Sequence, residues 1–256
     1  MRVPRAGWLL LIGLVPAMSN AQAPAKPEPI KDNSFLLEEA YNQEARVVQH
    51  ISLFLHTRQT DDWAYAFTQE WPLGGPRHQL SYTLTLVRVD AGGSANTGLG
   101  DLALNYRHQL VGVNGGPLAV APRVSLLLPT GDADAGLGAG TPGVQVNLPV
   151  SWQPGRSLVT HWNAGVTLMP RDGTADFNLG QSLIWLTTPT FNAVLETAWA
   201  SGEGEQLVVA PGLRAAFNFG SLQVVPGIAL PIGLGPSAGE HSLAVYLSLE
   251  HPFGRR

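Results

Sequence analysis

The sequence predicts an all-β chain, closed into a transmembrane antiparallel up-and-down β-barrel of about 12 strands. Three observations carry that expectation. From Val47 onward, apolar residues recur at every second position, the period of a strand with one apolar face. Charged residues make up 13% of the 256-residue chain and apolar ones 45%, whereas an ordinary soluble domain is roughly one quarter charged, so much of the exterior need not face water. Connections alternate between tight turns and longer Gly- or acid-rich loops, as in barrels whose turns face one side of a membrane and whose loops face the other.

Composition also excludes. The 29 Gly and 20 Pro rule out coiled coils, helical bundles and polytopic helical membrane proteins. The absence of Cys removes disulfides, thiolate metal sites and Cys nucleophiles. A net charge of −4 offers no basic footprint for nucleic acid.

Residues 1–21 read as a secretory signal. Arg2 and Arg5 precede an apolar run from Trp8 to Val15, and Ser19 and Ala21 place small side chains for cleavage after Ala21. Residues 22–46 form a leader expected on the periplasmic side, with a short helix over 33–42. The barrel is expected over 47–253, in twelve alternating segments. They begin with Ile51, Leu53 and Leu55, then Trp63, Tyr65, Phe67 and Trp71, then Leu80, Tyr82, Leu84 and Leu86. Leu102 to Leu110, Leu118 to Leu128, Val144 to Trp152 and Leu158 to Leu168 continue the period. Phe177 to Trp185, Phe191 to Trp199, Leu207 to Phe219, Leu222 to Ile232 and Leu243 to Phe253 complete it. The opposite parity carries Asn105, Ser125, Asn147, Ser151, His161, Asn163 and Ser182. The uncharged stretch between Arg214 and Glu240 is interrupted by Gly220, Pro226, Gly227 and Pro231; it cannot cross as a helix, and a closed barrel is the remaining way to satisfy backbone groups in lipid.

Several motifs together resemble a known family. The stretches NSFLLEEAYNQEARVVQHIS (33–52), FTQEWPL (67–73), RHQLSYTL (77–84), GLGDLALNYRHQL (98–110) and APRVSLLLPTGD (121–132) are similar to bacterial outer-membrane proteins labelled for the MetA pathway of phenol degradation. The resemblance spans roughly residues 33–253. It implies an outer-membrane, transporter-like barrel that passes small hydrophobic or aromatic compounds. Its surroundings would be lipid and lipopolysaccharide, with the barrel-assembly machinery as partner during biogenesis. Barrel proteins of this kind commonly end on an aromatic residue, whereas Phe253 is followed here by Gly254, Arg255 and Arg256.

Charges on the inward parity are the candidate site: Glu70, Arg77, Asp101, Arg107, Arg123, Glu196, Arg214 and Glu250. Lone charges inside a barrel must pair or line water, so these either set a selective constriction or brace the wall. Small inward residues such as Gly165, Gly180, Gly212 and Gly227 suggest an open cavity. The leader could fold back as a partial plug, with Phe35 and Tyr41 on an apolar side and Glu38 and Glu39 on an acidic one.

Chemistry is thin elsewhere. His50 and Ser52 have the spacing of outer-membrane lipid esterases, but the expected parity points them inward. Gly138 to Gly143 matches G-x-G-x-x-G without a following helix. No zinc spacing occurs among the seven His, and neither metal nor cofactor is expected. Two alternatives to a channel remain: a lipid-modifying barrel esterase, and a structural barrel or soluble periplasmic β-sandwich binding module.

Overall fold

A computed structural model describes residues 30, 32–90, 94–202 and 204–253. The expected signal, residues 1–21, lies outside the described residues. Strand segments run in order β1 (Val47–Thr57), β2 (Asp62–Pro72), β3 (His78–Asp90), β4 (Ala95–Leu99), β5 (Leu102–His108), β6 (Leu118–Val120), β7 (Arg123–Leu128) and β8 (Gly143–Trp152). They continue as β9 (Leu158–Met169), β10 (Thr174–Thr188), β11 (Phe191–Ala200), β12 (Gln206–Ala215), β13 (Phe217–Phe219), β14 (Leu222–Ala229), β15 (Ile232–Gly233) and β16 (Ser242–Pro252).

These segments make twelve staves. β4 and β5 both pair with β3, β6 and β7 with β8, β12 and β13 with β14, and β14 and β15 with β12. Each of those couples is one stave interrupted by an irregularity. All pairings are antiparallel, and β16 returns to β1 from Val47↔Pro252 to Thr57↔Ser242, so the ring closes and no edge is left to aggregate. The start of β1 and the end of β16 share one rim, here called the near end; the opposite rim is the far end.

Register sorts the side chains. Glu70, Ser81, Asn105, Ser125 and Gln145 are cross-strand neighbours on successive staves, and Ser125, Ser151, Ser182, Asn192 and Glu196 are wholly buried. Leu84, Leu104, Leu126, Val146, Leu179, Leu195, Leu213 and Val245 are exposed on the other parity. A polar inside and an apolar outside invert the arrangement of a soluble protein, whose water-facing surface does not carry a continuous apolar band. Lipid is the solvent that fits. Trp152, Trp162 and Trp185 stand on the outer face, as amphipathic girdle rings do.

Three local expectations fail. First, β1 is turned over: Ile51, Leu53 and Leu55 face the lumen with Tyr246 and Ala244, while His50, Ser52, Phe54 and His56 face outward with Phe67, Tyr65 and Trp63. β1 is apolar on both parities, so period two could not choose a face; Ile51 joins an inner apolar cluster with Phe35, Val225 and Tyr246. Second, residues 33–42 are not helical, and the helical turn seen among the described residues is the 3-10 turn Gly235–Ser237. Third, the far-end links 58–61 and 170–173 are as tight as the near-end turns.

Candidate functional site

Ile30 and residues 32–46 run through the lumen as an irregular strand of chain. Ile30, Asp32, Ser34, Phe35, Leu37, Glu39, Ala40 and Gln43 are buried there. The segment is not helical because the wall satisfies the backbone groups that a helix would pair internally. Glu196 on β11 accepts the N–H groups of Phe35 (3.0 Å), Leu36 (3.1 Å) and Leu37 (3.2 Å). Asn163 accepts from Glu38 N and donates to Glu38 O. Ser151 accepts from Ala40 N at 2.7 Å, Gln109 from Asn42 N at 2.8 Å and Gln79 from Gln43 N at 2.8 Å. The carbonyls are held likewise: Arg107 donates to Glu39 O and Tyr41 O, Gln109 to Ala40 O, and Arg214 to Asp32 O and Asn33 O.

Ion pairs fix the side chains. Arg123 faces Glu38 through Nε (2.9 Å to Oε2) and Nη2 (2.6 Å to Oε1). Arg107 lies between Glu39 (3.4 Å) and Glu70 (3.6 Å), and its Nε donates to Asn42 Oδ1. Burial pushes the Glu38 carboxyl up, but Arg123, joined by Arg107 and Asn147, outweighs it and the group ends below the ordinary carboxylate range. Burial raises Glu39 to about 8, against the pull of Arg107 and with a further push from Glu70 and Asp32.

Apolar contacts complete the seat. Phe35 meets Tyr246 edge-on at 6.0 Å between ring centroids, and Tyr41 meets His161 edge-on at 6.3 Å. The small inward residues do not leave a void. A side chain on Gly212 or Gly227 would strike the Phe35 ring, and one on Gly180 would strike Leu37. These glycines are the slots into which the segment fits. Gly227→Val, where the Phe35 ring is the first group met, is therefore expected to force Phe35 out and raise ion current through the barrel in a planar bilayer; current at the wild-type level would show that the ring is not wedged there.

The segment divides the lumen in two. A cavity of about 440 Å³ lies on the far side, lined among others by Leu36, Glu38, Leu55, Arg123, Gln145 and Asn147. Another of about 370 Å³ lies on the near side, lined among others by Tyr41, Gln43, Gln109, His161 and Glu250.

Of the expected inward charges, Glu70, Arg107, Arg123, Glu196 and Arg214 converge on the segment, and Glu250 stands at the near mouth. Arg77 does not: it is exposed in the near-end turn between β2 and β3, because that stave ends before its parity can place it inside. Asp101 sits at the far rim and accepts Gly131 N (3.0 Å) and Ala139 N (2.8 Å), so it pins the Gly-rich loop. Gln79, Gln109 and Asp32 were missed; an amide on inward parity in Gln79 was the available signal. The His50–Ser52 pair faces lipid, with His50 Nε2 3.2 Å from His251 and Ser52 Oγ 3.0 Å from Tyr65 OH.

A closed ring with this polarity defines a transmembrane β-barrel. The family described as "Putative MetA-pathway of phenol degradation" matches residues 38–202, and the chain belongs to it. Among solved structures, the chain is similar to an outer membrane channel from Pseudomonas putida F1, with a TM-score of 0.59, 14% identity and coverage of 84% of this chain and 98% of that one. It is also similar to the KdgM porin (TM-score 0.57, 8% identity, 80% and 99% covered) and to the NanC porin (TM-score 0.53, 7% identity, 80% and 100% covered). At such identities the likeness is one of fold. Comparison with curated proteins finds no match.

Proposed function

We propose that the protein is an outer-membrane channel or transporter for small molecules, hydrophobic or aromatic ones among them, and that Ile30 and residues 32–46 hold its lumen shut. The observation that carries the reading is the partition itself. The two cavities are separated by a segment that is not part of the wall, and it is held by side chains that water could equally satisfy. The near end then faces the periplasm and the far end the exterior, with lipid and lipopolysaccharide against the apolar wall and the assembly machinery acting during insertion. A channel rather than an enzyme is favoured because, among the described residues, His50 and Ser52 bond to His251 and Tyr65 instead of to each other, so that this pair lacks the base-to-hydroxyl contact an esterase needs.

Proteoliposomes carrying the mature chain, with and without residues 22–44, are the test. A panel of aromatic and aliphatic solutes should enter them faster than protein-free vesicles, most of all with the shortened chain. Equal rates in all three preparations would reject the reading.

A further inference from the structure

We infer that Arg123 is a receptor for the carboxylate of a solute entering the far cavity, and that Glu38 of the chain's own segment occupies it in place of that solute. The inference rests on the channel reading for the solute's access; the receptor's geometry stands apart from it.

Two edges of the guanidinium are used differently. Nε and Nη2 grip both oxygens of Glu38 at 2.6–3.0 Å, the fork geometry that makes Arg selective for planar anions. Asn147 Nδ2 adds a third donor to Oε1 at 3.2 Å. The rest of the guanidinium is tied to the wall: Nη1 donates to Asn105 Oδ1 at 3.1 Å and to Ser125, and Nη2 also donates to Gln145 Oε1 at 2.7 Å. Its aim is therefore fixed whether or not Glu38 is present. Such preorganisation is what a binding site needs.

Access distinguishes this pair from its neighbour. The side chains of Arg123 and Glu38 are 13% and 27% exposed, whereas those of Arg107 and Glu39 are 3% and 1% exposed. Both members of the open pair line the 440 Å³ cavity, together with Leu36, Leu55 and Val208. A solute with one carboxylate and an apolar body can place each part there. Arg107 stands directly opposite Arg123 across β5 and β7, and like charges so placed repel; among the described residues Glu38 is the acid within ion-pair distance of Arg123. An anion at this position answers Arg123 directly, whereas Arg107 is already engaged by Glu39 and Glu70. Exchange of Glu38 for a solute carboxylate keeps the charge and the fork, and it frees one anchor of the segment, so the solute loosens the barrier in its own path.

The experiment uses the purified full mature chain in detergent, with folding verified by heat-modifiable gel mobility. Thermal unfolding is followed against benzoate and against benzamide, which has the same ring but no charge. Benzoate should raise Tm saturably, and Glu38→Gln should shift the response to about tenfold lower benzoate by removing the internal competitor. Arg123→Gln should abolish it, and benzamide should be inert throughout. If Glu38→Gln does not fold, wild type against Arg123→Gln at higher benzoate separates the same outcomes. An equal response to benzamide, or a benzoate response that survives Arg123→Gln, overturns the receptor and leaves the channel standing. Benzoate binding at Arg123 in a barrel that admits no solute overturns the channel and leaves the receptor standing.

Discussion

Removal of residues 22–44 is expected to raise time-averaged current per barrel by about tenfold or more. The segment gains charge-assisted hydrogen bonds from Glu196, Arg107, Arg123 and Arg214, each worth roughly 1.5–3 kcal/mol. A net docking energy of only ~1.4 kcal/mol keeps about nine barrels in ten closed. The deletion abolishes that closed population. Glu196→Gln, which retains one acceptor oxygen where three N–H groups converge, should fall between the full and shortened chains. Planar-bilayer recordings decide the matter: indistinguishable currents for the full and shortened chains would mean that the segment does not occlude.

Closure should also follow pH, with a maximum between the acid and alkaline limbs. Glu39 is raised to about 8 by burial, with Arg107 lowering it and Glu70 and Asp32 raising it. A group whose docked value lies above its free value binds a proton on docking, so its contribution is complete at low pH and is lost as pH climbs through about 8. The docking constant should then fall by up to about tenfold per pH unit. Glu38 works in the opposite sense. Its value is depressed, chiefly by Arg123 acting against burial, so its contribution is present above the ordinary carboxylate range and disappears on acidification below it. Current should therefore rise as pH climbs from the ordinary carboxylate range to about 8, level off above that, and rise again in acid. Glu39→Gln should remove the alkaline limb alone, and an alkaline limb persisting in that variant would exclude Glu39 as its source.

Much of the barrel was legible because lipid outside and water inside impose period two on every stave. The rule fails where a stave is apolar on both faces. In β1 the inward Ile51 packs with Phe35 and Tyr246, so the apolar face there reports the plug and not the membrane. Arg107, Arg123, Glu196 and Arg214 were recognisable as inward charges, but their partners lie 65 to 182 positions away in the chain, and no local pattern encodes such contacts. The same distance explains the helix that is absent. Residues 33–42 have adequate propensity, yet propensity is worth only tenths of a kcal/mol per residue, and the wall's amides and carboxylates claim the backbone first. Gly180, Gly212 and Gly227 looked like room; only the side chains of Leu37 and Phe35 reveal them as moulds.

The anchors of the segment sit on β3, β5, β8, β9, β11 and β12, most of the way round the ring. Asp32 is held from the remaining arc as well, by Gln49 on β1 and Tyr246 on β16, so the berth is complete only when the cylinder has sealed. The stretch that precedes β1 in the chain is thus the part that settles last, threading back through a finished wall. Biogenesis would then pass through an open, leaky stage that ends only when this stretch stoppers it.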